Sequence, residues 1–427
     1  MERIELINYR CYKHLELSFK QKINLLVGDN ASGKTTILRA IRSVLSAFFT
    51  GYSDENTLFI GLSNSDFTVQ KTKNSLVNEE PITVSFDLMG IYSLLVLYST
   101  KGRTLQTPLK DLSNYGNELK KSLFDKENHQ IKALPLFASF STGNIHSSRK
   151  LLAKPFKDYF HKPSFGYYGC MQGDGFFQYW IKRLLVLKEG GKGEIELRCV
   201  RQAIQSALGV NGCSIINDME IRPNQGKVYY IFIDGRETES DNLSDGYARL
   251  VNIVTDLAFR CALLNQGKYG VRACQKTTGT VLIDEIDLHL HPSLQALVLK
   301  GLQNAFPQLQ FIVSTHAPMV MTGIKSDEEN IIYKLTYNTE KGYEKKVVEL
   351  YGMDASSIID VVLDTTPRSK EVADRLKTLF SFIDTDQYDK ASDILKGMQV
   401  DFSDKLPELA KAEAMLNFLT DENDQDK

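Results

Sequence analysis

The fold of this chain is decided by the stretch Gly28-Asp29-Asn30-Ala31-Ser32-Gly33-Lys34-Thr35. It matches the pattern GxxxxGK[ST], in which glycines let backbone N–H groups turn inward and hold phosphates at the start of a helix. The preceding run, 23–27, is apolar and has the length of a buried strand, while residues 35–41 place apolar side chains at helical spacing. A strand, a glycine loop and a helix in this order predict an α/β fold with a phosphate-binding loop.

The residues of this loop predict a site for ATP and Mg²⁺. Lys34 reaches the β- and γ-phosphates in this motif, and the Thr35 hydroxyl binds the metal. The predicted nucleotide-binding set from this segment is Gly28, Asn30, Ala31, Ser32, Gly33, Lys34, Thr35 and Thr36. A glycine turn without function is the alternative, and the strand and helix on either side argue against it.

A second motif is the apolar run Val281-Leu282-Ile283 followed by two acids, Asp284 and Glu285. A buried strand with this ending could meet the phosphate loop across a parallel sheet. Asp284 is then predicted to hold Mg²⁺ through water, and Glu285 to polarise the attacking water. By itself the run fits equally well an ordinary strand followed by acidic turn residues.

Two further segments carry candidate site residues. Leu243-Ser244-Asp245-Gly246-Tyr247 opens an apolar helix, where the serine hydroxyl and the helix-terminal amides could donate to a γ-phosphate. Ser314-Thr315-His316 ends a predicted buried strand over 310–314, and His316 could contact the same phosphate. A simple N-cap serine and a structural histidine are the alternative interpretations.

In their order along the chain, these motifs resemble an ABC-type ATPase head of the RecF and SMC group. The segment 287–292, Asp-Leu-His-Leu-His-Pro, is similar to the D-loop of that group. The resemblance implies a homodimer or higher oligomer in which two heads enclose two ATP molecules. Ser244 and Gly246 would then act on nucleotide held by another subunit, with Lys34, Glu285 and His316 as catalytic residues. Arg10 matches the group's N-terminal basic position near the nucleotide, whereas Gln70 is equally compatible with the Q-loop or a surface strand.

The spacing of the motifs suggests four regions in the 427 residues. We expect an N-terminal lobe of the ATPase head over 1–100, an inserted lobe over 101–235, a C-terminal lobe of the head over 236–350, and a helical region over 351–427. The inserted lobe should be compact, because the sequence has no sustained heptads that would form a coiled-coil arm. The expected fold class is therefore an α/β P-loop head with an inserted lobe and a helical C-terminal region.

The tail that begins with Tyr351-Gly352-Met353-Asp354-Ala355 and runs to Met415 resembles the C-terminal region of the PtuA proteins of Septu systems and of Septu-like retron effectors. This likeness implies antiphage defence, a separate HNH nuclease partner similar to PtuB, and contact with a retron reverse transcriptase and its nucleic acid. Residues 352–427 hold 17 acidic and 9 basic residues, so the region could dock a basic partner or simply cap the chain's own core. Asp384-Thr385-Asp386 lies between two helical patterns and is interpreted as a turn rather than a nuclease metal site.

Other features of the sequence bear on contact with nucleic acid, on membrane spans and on the cell compartment. The segment 149–162 mixes basic and aromatic residues, which could contact DNA or RNA or could be a solvated surface. No run of 18 apolar residues and no signal peptide is evident, so no membrane span and a cytoplasmic location are expected. The six cysteines include no CxxC pair, which argues against a zinc site.

A RecF-like DNA-repair ATPase and an ABC transporter subunit are the alternative functions.

Overall fold

The structure is a computed structural model that describes residues 1–71, 76–123, 132–142, 162–173, 176–191, 193–363, 368–402 and 406–425. It contains two compact units, Met1–Ala355 and Ser356–Lys427. The segment 149–161, which holds most of the basic and aromatic run considered for nucleic-acid contact, lies outside the described residues.

The first unit is built on a six-stranded sheet that carries the phosphate loop. In spatial order its strands are β15 (Gly342–Val347), β14 (Ile331–Asn338), β3 (Ile23–Val27), β13 (Leu309–Thr315), β12 (Gly279–Ile283) and β8 (Leu136–Phe140). All neighbouring pairs are parallel except β14 and β15, which form an antiparallel hairpin. Strands β3 and β13 are buried along their whole length, as their continuous apolar runs predict for a sheet covered on both faces.

Three smaller sheets complete the strands of this unit. A four-stranded antiparallel sheet has the order β2-β1-β6-β7, a three-stranded sheet has the order β11-β10-β9, and β4 pairs with β5. Their bounds are β1 Arg3–Tyr9, β2 Tyr12–Ser18, β4 Val69–Lys71, β5 Leu76–Asn78, β6 Ile82–Leu88, β7 Ile91–Leu97, β9 Ile216–Arg222, β10 Lys227–Phe232 and β11 Glu237–Glu239. Gln70 is exposed on β4, in agreement with its interpretation as a surface-strand residue.

The helices of the first unit flank these sheets. They are α1 Lys34–Ala47, α2 Lys110–Ser122, α3 Phe177–Glu189, α4 Glu194–Leu208, α5 Asp245–Tyr269, α6 Ala273–Lys276, α7 Pro292–Gln295, α8 Val298–Ala305 and α9 Pro318–Met321. Helix α5 is buried on nearly all sides, which explains its apolar sequence.

Polar contacts fix helix α5 inside this core. Trp180 on α3 donates its indole N–H to Asp256 Oδ1 at 2.6 Å. Arg260 binds Asp256 through Nε at 2.6 Å and also donates to the carbonyl oxygens of Gly166 and Tyr168. A buried carboxylate is tolerated here because a guanidinium and an indole both satisfy it. The helix that opens with the Ser244 segment is therefore held rigidly against the rest of the unit.

The helical segments before and after β12 are interrupted. Helix α5 ends at Tyr269 and α6 follows at Ala273. Helix α7 ends at Gln295 and α8 begins at Val298. In addition, β8 lies within the range predicted as an inserted lobe, 101–235, and is an edge strand of the central sheet. Pairing with a distant strand, β12, is a tertiary event that local sequence does not encode.

The described part of the second unit holds helix α10 (Ala355–Val362), which begins at the unit boundary, and three further helices that share a core. Helices α11 (Lys370–Asp384), α12 (Tyr388–Phe402) and α13 (Pro407–Gln425) pack through buried apolar residues that include Leu379, Leu395 and Met398. The segment Asp384-Thr385-Asp386 is the turn between α11 and α12, as predicted. Over the described residues, no cluster of three His, Cys, Asp or Glu side chains could hold a metal ion, and no helix is long and apolar enough to cross a membrane.

Candidate nucleotide site

Three parallel strands of the central sheet bring the predicted motifs to one edge. Strand β3 ends at Val27, which pairs with Thr315 at the end of β13. Strand β12 ends at Ile283, paired with Val313 of β13. The phosphate loop, the residue after Thr315 and the two acids after Ile283 therefore meet at the carboxyl edge, where ligands bind in open α/β sheets.

The phosphate loop has a conformation that depends on its glycines. Gly28 has φ 141° and Gly33 has φ 94°, values that side chains with a Cβ rarely adopt. A Cβ on Gly28 would lie 2.1 Å from the carbonyl oxygen of Leu335, and one on Gly33 would lie 2.1 Å from the hydroxyl of Tyr12. That same hydroxyl donates to the carbonyl oxygen of Ser32 at 3.2 Å. The loop is thus packed tightly between two strands that flank it.

Lys34 lies folded into the loop at the first turn of α1. Its ammonium donates to the carbonyl oxygens of Gly28 at 2.8 Å and Asp29 at 2.7 Å, and to Ser32 Oγ at 3.2 Å. Burial lowers its pKa to about 8, although Asp284 and other nearby carboxylates oppose the shift. A buried cation facing a ring of backbone amides suits the binding of a polyphosphate, whose charge would replace those carbonyl contacts.

Asp284 is the centre of a hydroxyl and carboxylate network. It accepts from Thr35 Oγ1 at 3.0 Å and from Ser314 Oγ at 2.5 Å. A hydroxyl and a carboxylate are oxygen ligands of the type that Mg²⁺ prefers, and these two lie within hydrogen-bond distance of each other. The residues present therefore fit the Mg²⁺ predicted from the sequence, which Thr35 and Asp284 would hold.

Glu285 follows Asp284 in an unusual backbone conformation. Its φ is 47°, in the left-handed region that a non-glycine residue adopts only when its surroundings hold it there. Its N–H donates to Ser314 Oγ at 2.8 Å, and its carbonyl oxygen accepts from Arg249 Nη1 at 2.6 Å. Arg249 also donates to the carbonyl oxygen of Asp284 at 2.7 Å. The backbone that carries both acids is therefore fixed from β13 on one side and from α5 on the other.

His316 lies half-buried at the end of β13 and faces the same space as Lys34. Burial lowers the pKa of its imidazole, and the nearby Lys34 charge lowers it further. A neutral ring can both donate and accept a hydrogen bond, which suits contact with a phosphate oxygen or a water. Thr315, just before it, donates to Asp287 Oδ1 at 2.5 Å and thereby ties this strand end to the 287–292 loop.

A cavity of about 230 Å³ joins these groups. It is lined by Cys11, Asn30, Ala31, Ser32, Gly33, Lys34, Thr35, Thr36, Glu285, His316 and Tyr343. Most of the residues predicted from the phosphate loop line it, together with the two predicted catalytic residues Glu285 and His316. The volume is small, and polar atoms make up the larger part of its lining.

Five predicted site residues do not line this cavity: Gly28 and Asp284, whose contacts are described above, and Ser244, Gly246 and Arg10. Ser244 is the exposed N-cap of α5, and its side chain forms no capping hydrogen bond with that helix. Gly246 packs against the 287–292 loop, since a Cβ there would lie 2.3 Å from the carbonyl oxygen of His289. Arg10 pairs with Asp66 at 2.7 Å instead of facing the cavity, although its neighbour Cys11 lines it.

Several residues at the site were not identified from the sequence. The sequence indicates Ser314 only as part of a buried strand, and its motifs do not point to Arg249 or Tyr343. Arg249 is one of two arginines in the largely apolar helix α5, which is a detectable signal because a buried cation needs specific partners. Tyr343 had no such signal, since an isolated tyrosine in a short hairpin is common on protein surfaces.

The fold and the site together define a P-loop ATPase, with a phosphate loop, a metal-binding carboxylate and a candidate base at one sheet edge. Comparison with family models agrees. Residues 96–322 match the model described as an AAA domain, putative AbiEii toxin, Type IV TA system, and residues 3–183 match a model described as an AAA domain. The chain belongs to this AAA-domain family, and within it to the RecF/SMC-like ATPases related to PtuA.

Curated relatives match most of the chain. The Retron Vc95 probable ATPase of Vibrio cholerae serotype O1 biovar El Tor is 23% identical, over 91% of this chain and 84% of its own length. The Retron Ec83 probable ATPase of Escherichia coli is 27% identical, over 77% of this chain and 70% of its own. The Septu protein PtuA of Bacillus thuringiensis is 25% identical, over 78% of both chains. These matches confirm the predicted resemblance to the PtuA proteins and the Septu-like retron effectors.

Proposed function

We propose that this chain hydrolyses ATP, dimerises around ATP, and in that state regulates a separate HNH nuclease in antiphage defence in the cytoplasm. The observation that carries the ATPase part is the network of Thr35, Asp284, Ser314 and Glu285, which joins the phosphate loop to the candidate base. Strands far apart in sequence contribute to this network, so its chemistry is a property of the assembled fold.

In the proposed reaction each residue has one task. Lys34 and the loop amides bind the phosphates, and Thr35 and Asp284 hold the metal site. Bound Mg²⁺ would neutralise charge that develops on the transferred phosphoryl group. Glu285 orients and polarises the attacking water, and the neutral His316 hydrogen-bonds at the γ-phosphate end of the cavity. Hydrolysis is the favoured chemistry because a carboxylate, rather than an apolar side chain, faces that end.

Dimerisation is supported by the position of Ser244. Its hydroxyl is exposed, and it forms no capping bond that would occupy it within its own helix. The N-terminus of a 25-residue helix favours an anion, so this surface suits the γ-phosphate of a nucleotide bound to a second copy. Gly246 lets that helix end approach the 287–292 loop, which would place both at the interface between two heads.

The partner is inferred from the relatives and from charge. This chain is similar to retron and Septu proteins. We therefore propose as its partners an HNH nuclease similar to PtuB, and a retron reverse transcriptase with its DNA or RNA. The C-terminal region over 352–427 carries a net charge of −8, which suits docking of a basic surface. We propose that this helical region, 351–427, is the partner-docking region.

A Glu285→Gln variant tests the proposal. Glutamine keeps the size of the side chain but cannot act as a base, so we expect ATP to bind and remain intact. Light scattering should then show a monomer without nucleotide and a dimer with MgATP. Glu328→Gln, which alters an exposed glutamate in the loop before β14, is the matched control and should hydrolyse ATP as the unmodified chain does.

Adding Ser244→Arg to Glu285→Gln should abolish the dimer while each monomer still binds ATP, because the contact is made to the other copy. A dimer that survives this change would reject the role of Ser244.

Coexpression of the Glu285→Gln chain with its genomic neighbours identifies the partner. An HNH protein retained in stoichiometric amounts is expected; recovery of DNA with the ATP-bound chain alone would favour the RecF-like repair function instead.

A further inference from the structure

The hairpin formed by β14 and β15 provides the cavity with a wall that the motifs do not predict. In the sheet, β13 and β12 lie on one side of β3 and carry His316 and Glu285 at their ends. Strands β14 and β15 lie on the other side of β3 and carry Tyr343. The phosphate loop that follows β3 is therefore between the hydrolytic residues and this tyrosine.

Tyr343 belongs to a cluster of three tyrosine rings beside the loop. Its ring meets the edge of Tyr12 with centroids 5.3 Å apart, and its cross-strand neighbour Tyr337 lies 4.8 Å away. Tyr12 is buried and donates its hydroxyl to the carbonyl oxygen of Ser32 in the phosphate loop. Tyr337 is 59% exposed and forms the outer side of the cluster. Tyr343 is half-buried between them and lines the cavity.

Hydrogen bonds hold this hairpin in a fixed position against the loop. Strand β14 pairs in parallel with β3 up to Lys334 opposite Val27. Tyr333 donates its hydroxyl to the carbonyl oxygen of Ser18 at 2.8 Å, and Lys345 donates to the carbonyl oxygen of Glu16. The position of the Tyr343 ring is thus set before any ligand binds, which lowers the entropic cost of stacking on it.

The direction of a bound nucleotide follows from this arrangement. Its terminal phosphate must point towards Glu285 and His316, because hydrolysis takes place there. The chain of phosphates passes Lys34 and Thr35, so the nucleoside leaves the loop on the opposite side, where Cys11, Thr36 and Tyr343 line the cavity. An aromatic ring in that position can stack on a base, because every base has a π-face.

We propose that Tyr343 is the base-recognition residue of this site and stacks on the adenine ring of ATP. The proposal rests on the ATP-binding function argued above and adds the group that recognises the nucleoside. A purely structural Tyr343 would only fill the space between Tyr12 and Tyr337. The two roles differ in one measurable respect, because only a stacking residue distinguishes a ligand with a base from one without.

The test compares MgATP with magnesium tripolyphosphate, which has the same three phosphates and no nucleoside. Binding is measured by calorimetry in the Glu285→Gln background to prevent turnover. Tyr343→Leu, which keeps an apolar side chain of similar size, should weaken ATP binding roughly 5- to 150-fold, the range expected for loss of one base–aromatic stack. It should leave tripolyphosphate binding unchanged within about twofold, and Tyr343→Phe should bind both ligands normally.

Tyr98→Leu is the control, since it makes the same change at an exposed tyrosine (62%) that follows β7, in a different sheet. Equal loss of ATP and tripolyphosphate binding in Tyr343→Leu would assign the ring a structural role and overturn the proposal. Unchanged ATP binding in Tyr343→Leu would overturn it as well. If the Glu285→Gln parent binds neither ligand, the proposed ATPase function fails instead, so the two failures are distinguishable.

Discussion

The hydroxyl of Ser314 holds both acids of the site, Asp284 and Glu285, in position, so a substitution that deletes it should disturb both. Its hydroxyl donates to Asp284 Oδ1 at 2.5 Å and accepts from the N–H of Glu285 at 2.8 Å. Ser314→Ala deletes one oxygen atom at a fully buried position on β13 and changes nothing else in the side chain. Asp284 keeps its bond from Thr35, whereas the N–H of Glu285 loses the bond that holds it in a left-handed conformation.

The expected size of the effect follows from these two bonds. A hydrogen bond to a charged group contributes about 1.5–3 kcal/mol, and a buried N–H left without a partner costs about 1–3 kcal/mol. Because losses within one network do not add fully, we expect a decrease of about 3 kcal/mol in the free energy of unfolding. For the 355-residue first unit this corresponds to a decrease in Tm of roughly 4 °C.

Ser314→Ala should also lower the rate of catalysis. If Glu285 leaves its position, the transition state loses about 1.4–3 kcal/mol of stabilisation, so kcat should fall roughly 10- to 100-fold. The assay is steady-state ATP hydrolysis, with ATP affinity and Tm measured on the same preparations. Ser139→Ala, which removes a buried hydroxyl from β8 in the same sheet, serves as the control and should retain its activity. A Ser314→Ala variant with activity within twofold of the unmodified chain would refute the role given to this network.

Two further predictions concern Lys34 and Arg249. Because the pKa of Lys34 is lowered to about 8, its ammonium is lost as the pH rises, so MgATP affinity should fall about tenfold between pH 7 and pH 9. Calorimetry at several pH values measures this, and a constant affinity would contradict it. Arg249→Lys keeps the charge, but one ammonium cannot reproduce the bonds to both carbonyl oxygens, so kcat should fall about tenfold with little change in ATP affinity. Steady-state kinetics beside equilibrium binding check this, and an equal loss in both would argue against it.

Local sequence was sufficient for the phosphate loop, the strand before it and the strand that ends in Asp284. Glycines with positive φ, a lysine and a hydroxyl in fixed spacing are demanded by phosphate chemistry, and continuous apolar runs are demanded by a sheet buried on both faces. These requirements act within eight or so residues, so they can be recognised without the fold. The order of the motifs also sufficed to place the chain among the RecF/SMC-like ATPases.

Contacts between distant segments were decided by the tertiary structure alone. Ser314 matters because β13 pairs between β3 and β12, and Arg249 matters because α5 passes behind Glu285. The cluster of Tyr12, Tyr337 and Tyr343 forms because the hairpin of β14 and β15, distant in sequence from the phosphate loop, pairs with β3. The left-handed backbone of Glu285 also depends on the tertiary structure, since Ser314 on β13 and Arg249 on α5 hold it. Sequence specifies which groups can bind a nucleotide, but packing determines which groups position them, because positioning depends on contacts between residues far apart in the chain.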